Sequence, residues 1–272
     1  MDEHSQDMAR IVELGEGEAY TDLYRAAPAD FAARHGVRAE RIGSAIALTM
    51  QSLDAVLFNR VIGLGLTEPA TEAMVDDIVG MYRRAGTNNW AVQLSPAALR
   101  SELPGWLEAH GLARDDSWPK VYRGVEPPPA IHTGLAVRRV SPEHADAFSR
   151  IVCRGFGVPE FIGPWVAATI GRDGWKHYMA FDGERPVATG ALFVRKDIGW
   201  LGIAATLASH WGRGAQGALM ARRIQDGAAM GCRWLVTETG EDTPEHPNPS
   251  YHNMLRTGFR LAYLRPNYIW SG

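Results

Sequence analysis

Two cysteines in 272 residues, Cys153 and Cys232, sit far apart in the chain. So few leave no disulfide framework, and their separation matches no zinc-ligand spacing. A reducing compartment, the cytoplasm, is the expected setting. No apolar run reaches the length that crosses a bilayer. The first residues, MDEHSQDMAR, are acidic and polar, without the apolar stretch of a secretion signal. Neither sign of charge dominates: 28 Lys and Arg stand against 31 Asp and Glu, a net charge of -3. That balance suggests no duplex-binding surface, a local basic patch aside, so no nucleic-acid partner is expected, and the lack of a spanning run argues against a membrane partner. Apolar residues, by contrast, make up 46% of the chain, enough for one large core or two small ones.

Residues 1–17 read as a polar tail. "AVLFNRVIGLGL" reads as a strand, and "EPATEAMVDDIVGMYRRAG" as a helix whose broad apolar side is Ala73, Val75, Ile78, Val79 and Tyr82. "NWAVQLS" is a strand and "PAALRSELPGWLEAHG" a helix with Pro104 inside it. Three consecutive prolines in "VEPPPAIHTG" continue neither a helix nor a central strand, so a linker is placed at 126–134, between domains at 18–125 and 135–272. The second domain opens with a strand and two helices. Three strands follow, at Lys176 to Asp182, Arg185 to Arg195 and Gly199 to Leu207, with a hairpin turn at Asp182-Gly183. From there each half reads strand, helix, strand, helix, strand: from Val56 to Arg123 in the first, from Gly199 to the C-terminus in the second. This is a repeat of order and not of residues.

Gly212, Gly214 and Gly217 follow a strand and open a helix. Without side chains the backbone N–H groups come close to a ligand, and a helix start leaves donors unpaired beside a partial positive charge. Phosphate or pyrophosphate is the natural occupant, with Arg213, and Arg222 or Arg223 from the helix, adding charge. A tight turn with close helix–sheet packing explains the same glycines. A Walker loop is excluded, because Ala218 and Leu219 stand where Lys and Ser or Thr belong. The three glycines satisfy the G-x-G-x-x-G spacing of a dinucleotide fold, but antiparallel hairpins precede them.

From Leu135 onward the chain resembles the GNAT superfamily of acyl-CoA N-acyltransferases. The resemblance rests on "WGRGAQGA" (211–218), set against that family's RGxGxG/A loop, and on "NPSYHNMLRTGF" (248–259), set against its asparagine-rich helix ending in Gly-Phe. It implies an α/β (α+β) fold with a mixed, splayed central sheet. It further implies a degenerate copy of that fold in the N-terminal half. Acetyl-CoA or a related acyl-CoA would be the co-substrate, with no metal. Its pantetheine would pair with Ala204, Ala205, Thr206 and Leu207. Its pyrophosphate would rest on Arg213, Gly214, Ala215, Gln216, Gly217 and Ala218, and Asn253 would reach the cofactor arm. The acceptor would be an amine, most simply a small molecule, and the N-terminal domain would shape the acceptor side or a dimer contact.

Direct transfer needs an unprotonated amine, hence a base. Glu238 ends a strand whose alternation runs Cys232, Trp234, Val236, Glu238, and is the first candidate. His210, His246 and His252 are others. Glu241, Asp242 and Glu245 form a candidate acidic rim for a cationic amine. An N–H near Ile203 to Ala205 could stabilise the oxyanion. Met254 stands where many family members carry the tyrosine that reprotonates the thiolate, and Tyr251, one turn earlier, is the substitute. Trp211 stands where Arg or Gln often begins the loop, removing one charge, and Gln216 replaces a small residue, free to bond the ligand or the turn. Trp165, Trp175, Trp200, Trp234 and both cysteines read as core. The rivals are a non-catalytic acyl-CoA-binding sensor or scaffold and a dinucleotide-dependent enzyme.

Overall fold

The computed structural model describes residues 2–98 and 102–271, and the chain divides into two compact units. One comprises Met1–Lys120 and Ala262–Gly272, the other Val121–Leu261. The last eleven residues therefore belong with the N-terminal unit, although the sequence places them in a domain running to 272. Strand ends that pair with distant partners carry no local signature of where they go.

In chain order the elements begin with α1 (Glu3–Arg25), α2 (Ala29–His35), β1 (Val37–Ile42), β2 (Ala45–Met50) and β3 (Arg60–Ile62). Next come α3 (Glu72–Ala85), β4 (Asn89–Gln93), α4 (Leu103–Ala109) and β5 (Leu112–Arg123). Then follow β6 (Ala136–Val140), α5 (Ala145–Phe156), α6 (Gly163–Ala167), β7 (Trp175–Asp182), β8 (Arg185–Arg195) and β9 (Ile198–Thr206). The chain closes with α7 (Ala215–Ala229), β10 (Trp234–Glu238), α8 (Pro249–Arg256) and β11 (Arg260–Ser271).

In the first unit β1, β2 and β3 are successively antiparallel, β3 and β4 are parallel, and β11 lies antiparallel to β4 with β5 beside it. The expected strand from Val56 to Leu66 shrinks to β3. Turns at Ala55–Asn59 precede it, and left-handed Gly63 and Gly65 end it. The buried side of α3 is Val75, Ile78, Val79, Met81 and Tyr82, while Ala73 is exposed. Tyr82 stacks on buried Trp90 at 4.2 Å. Of the helix expected at 96–111, Pro96–Ala98 form a single 3-10 turn and α4 begins at Leu103, with Pro104 in its first turn. Leu99, Arg100 and Ser101 lie outside the described residues.

The polar N-terminal stretch is not a tail but the first turns of α1. Asp2 caps it by accepting the Ser5 N–H at 2.8 Å. Met8, Ala9, Val12, Ala19 and Leu23 line a buried stripe, and Glu13 and Glu16 lie in the same stripe, each 1% exposed. Composition hides this because carboxylates are buried only when paired. Arg265 donates to Glu13 at 3.0 Å and to Glu16 at 3.0 Å, Lys120 pairs with Glu16, and the Tyr263 hydroxyl donates to Glu13 at 2.6 Å.

In the second unit β6, β7, β8 and β9 are successively antiparallel and β9 and β10 are parallel. Gly183, at φ +59°, makes the β7–β8 turn. Ala215, Leu219, Met220, Arg223, Ile224 and Gly227 form the buried stripe of α7, and Leu219 and Ile224 join Leu192, Leu201 and Leu235 in the core. Trp165, Trp175 and Trp200 are buried, Trp234 is half-buried, and both cysteines are buried and unpaired with each other.

His177 lies in this core between Phe148 and Trp175, its Nε2 2.9 Å from the Thr169 hydroxyl. Burial, assisted by Lys176, pushes its pKa down to about 3. In the unfolded chain the ring titrates near about 6.5. Between those values the unfolded state holds the extra proton, so stability falls as pH drops from 6.5 towards 3, by about 1.4 kcal/mol per unit. His177→Phe is expected to flatten that limb of the stability–pH curve, as measured by urea melts from pH 7 to pH 4. An unchanged slope would mean that other groups set it.

Candidate functional site

The parallel ladder between β9 and β10 covers only Ile198 to Trp200 against Trp234 to Val236, while β9 runs on to Thr206. Beyond that point the two strands part, with the Thr237 hydroxyl donating to Leu201 C=O at 2.6 Å where they separate. β9 is also bulged. Its register against β8 moves from Gly202↔Ala191 to Ala205↔Thr189, so β9 holds an extra residue there. Ile203 takes φ +52° inside the bulge, a conformation that a β-branched residue adopts only when its surroundings compel it. The surroundings are specific. The Thr189 hydroxyl donates to Ile203 C=O at 3.2 Å, and the buried Arg223 guanidinium donates to Ala191 C=O at 3.2 Å and Gly202 C=O at 3.4 Å. Burial lowers the Arg223 pKa to about 10. Arg223 therefore braces the sheet rather than facing the glycine loop, and Arg222 pairs with Asp226 at 2.9 Å. Neither helix arginine serves the loop as the sequence suggested.

At the end of β9 the four expected strand residues divide. Leu207 N–H donates to Val187 C=O at 3.0 Å, so Leu207 is committed to β8. In an antiparallel ladder the neighbouring Thr206, and Ala204 beyond Ala205, turn their backbone groups the other way, to the edge that β10 has left. Ala205 C=O accepts from Gln216 Nε2 at 3.0 Å, and the same nitrogen donates to the Thr206 hydroxyl at 2.8 Å. Gln216 thus fastens α7 to β9, and its amide nitrogen is not left for a ligand.

The loop between β9 and α7 has the left-handed turns that glycine permits: Gly212 at φ +73° and Gly214 at φ +80°, the latter as the N-cap of α7. Among the described residues, the N–H groups of Gly212 to Gly217 donate to no other group. Ala218 N–H donates to Gly214 C=O at 3.0 Å, which removes it from the expected cradle. Arg213 extends to Asp182 at 2.6 Å, and His210 Nε2 lies 3.2 Å from the same carboxylate. These two partners, Arg213 first, hold the Asp182 pKa below the usual carboxylate range. His210 is buried and bonded on both ring nitrogens, with Ser209 at 2.8 Å on the other, so it anchors the loop and is not placed as a base.

Sequence reading took Asp182 for a turn residue only. It also missed Thr133, whose hydroxyl donates to Arg213 C=O at 2.7 Å, and the packing of Ile131 and His132 beside Gly217 and Gly214. The proline-rich segment is thus a strap along the start of α7. No local signal announces such contacts.

Glu238 ends β10 half-buried, next in alternation after buried Val236. On α8, Asn248 caps the helix by accepting the N–H groups of Ser250 and Tyr251 at 2.9 and 3.3 Å. Tyr251 is half-buried and packs on the core cluster that holds Met254, so the two share a face. Asn253 accepts from Arg256 at 2.6 Å, which occupies its side-chain oxygen. The acidic rim is not uniform: Asp242 accepts the Asn248 N–H at 2.5 Å and meets His252 at 3.0 Å, both of which hold its pKa down, while Glu241, Glu245 and His246 are exposed. Among the described residues no cluster of three His, Cys, Asp or Glu could hold a metal, and no helix is long and apolar enough to cross a membrane.

No family model and no curated protein sequence matches the chain. Solved structures do. A GCN5-related N-acetyltransferase from Kribbella flavida is 18% identical, with 86% of this chain and 89% of that one aligned at a TM-score of 0.61. A second, from Sphaerobacter thermophilus, is 14% identical over 83% and 79% of the two chains at 0.58. A tandem GNAT protein from the clavulanic acid biosynthesis pathway, solved without AcCoA, is 13% identical over 83% and 77% at 0.58. The mixed sheet is therefore that of the GCN5-related N-acetyltransferase fold.

Proposed function

We propose that the second unit is an N-acyltransferase that uses acetyl-CoA or a related acyl-CoA and acylates a primary amine, most simply on a small molecule. The observation that carries this reading is the row of N–H groups from Gly212 to Gly217. They are free of internal acceptors, at the start of a helix and beside a strand edge that has lost its partner. Such a row matches a diphosphate, and Ala204 and Thr206 offer the backbone edge for a pantetheine arm. An acyl-CoA bound there supplies an acyl group activated as a thioester. Glu238 takes the proton from the acceptor nitrogen. The backbone N–H groups of the bulge at Ile203 to Ala205 stabilise negative charge on the carbonyl oxygen. The Tyr251 hydroxyl returns a proton to the sulfur. Asn253 is a weaker candidate for the arm, since only its amide nitrogen remains to donate.

The first unit repeats the order strand, helix, parallel strand, helix, strand, and we propose that it is a degenerate copy. Its helix α3 is capped by the Thr71 side chain, which accepts the Met74 N–H, where α7 has Gly214 and no side-chain cap. Its strand β3 spans three residues where β9 spans nine.

A non-catalytic acyl-CoA-binding protein is the second reading. It draws on Met254, buried in the core where the resemblance calls for a tyrosine acid. One experiment separates the two. Calorimetry with CoA is expected to show binding, and acetyl-CoA with a panel of primary amines is expected to release free thiol. Binding without thiol release from any amine would leave the sensor. Absence of CoA binding, with retention of NAD, would transfer the loop to a dinucleotide.

A further inference from the structure

Trp211 is 70% exposed, the most exposed of the large apolar side chains among the described residues. Yet it is not loose: its indole Nε1–H donates to Thr206 C=O at 2.9 Å. That carbonyl lies on the edge of β9 facing away from β8, because Leu207 is bonded to Val187 and backbone direction alternates. The hydroxyl of Thr206 and the carbonyl of Ala205 are already held by Gln216. On this stretch of edge, then, one of the two outward backbone acceptors, Thr206 C=O, is occupied by a side chain at the surface.

We propose that Trp211 is an affinity-setting residue whose indole competes with a ligand's amide arm for Thr206 C=O, an inference that rests on the coenzyme reading of the same site. A secondary amide N–H laid along β9 takes over Thr206 C=O and displaces the indole, one N–H···O bond exchanging for another. A bare adenine nucleotide with a diphosphate fills the amides of Gly212 to Gly217 and has no amide arm to lay along Thr206, so the indole stays in place. The indole is largely exposed in the present contact, which makes displacement cheap: its N–H returns to water, where it remains solvated. Phenylalanine keeps an aromatic ring and lacks the N–H, so Trp211→Phe removes the competition alone.

The test uses the full chain, nitrogen-labelled, with the Trp211 indole resonance assigned by its loss in Trp211→Phe. CoA is expected to shift that resonance and ADP to leave it in place. Trp211→Phe is expected to bind CoA about five-fold more tightly by calorimetry, the worth of one net hydrogen bond, with ADP affinity unchanged. If CoA binds wild-type protein but the resonance stays, or moves equally with ADP, or the variant binds CoA no better, the role of Trp211 is overturned and the coenzyme reading stands. If wild-type protein binds no CoA, both fall.

Discussion

Gly214→Trp is expected to remove CoA binding, by at least about a hundred-fold in calorimetry, while the protein still melts cooperatively. Gly214 holds φ +80° as the residue from which α7 starts, and its N–H is one of the row without an internal acceptor. A residue with a Cβ adopts that conformation at about 1–2 kcal/mol. Here the Cβ would also stand 3.2 Å from His132 C=O and 3.2 Å from the Thr133 Cβ, so the strap must move. Relief by a change of φ would turn the neighbouring N–H groups out of line. Hydrogen bonds to a charged group are worth about 1.5–3 kcal/mol each, so losing two accounts for the expected drop. The fold tolerates the change because about 1–2 kcal/mol is a fraction of the about 5–15 kcal/mol that domains possess. A melt within a few degrees of wild type, together with undiminished CoA affinity, would remove the loop from the site.

What could be read from the sequence is what lies close along the chain. The glycines at 212, 214 and 217 announce the turn and the helix start, and Asp182-Gly183 announces the hairpin, because the residues that shape each are neighbours. The order of elements in the two halves was legible for the same reason. Partners far apart were not. Asp182 joins Arg213 across 31 positions and Thr133 joins Arg213 across 80, and neither pair has a periodicity to betray it. α1 was missed because Glu13 and Glu16 are polar by type and buried by pairing with Arg265, 252 and 249 positions away. The bulge at Ile203 was missed because a left-handed β-branched residue contradicts local preference. It is held by Thr189 and Arg223, from a neighbouring strand and a following helix. Local rules thus found the glycine loop and the helix start, and tertiary contacts decide which of the loop's groups remain available to the proposed diphosphate.

Glu238→Gln is expected to lower turnover by about a hundred- to ten-thousand-fold, the usual range for loss of a general base, with CoA affinity close to wild type. The substitution keeps size and shape and removes the ability to accept a proton. It therefore separates chemistry from packing at a half-buried position that follows Val236 in the strand's alternation. Glu238 follows Val236, the last residue of β10 paired with β9, and the proposed acceptor amine would approach from that side. The pH dependence is the sharper readout. With an ionised base required, the acid limb of the kcat profile is set by that carboxylate, and glutamine should abolish the limb and leave a flat, low rate. A variant with reduced turnover and the same acid limb would place the proton acceptor elsewhere. Exposed His246, or the pair of His252 with Asp242, would then be the next groups to replace, since His210 is already bonded to Ser209 and Asp182.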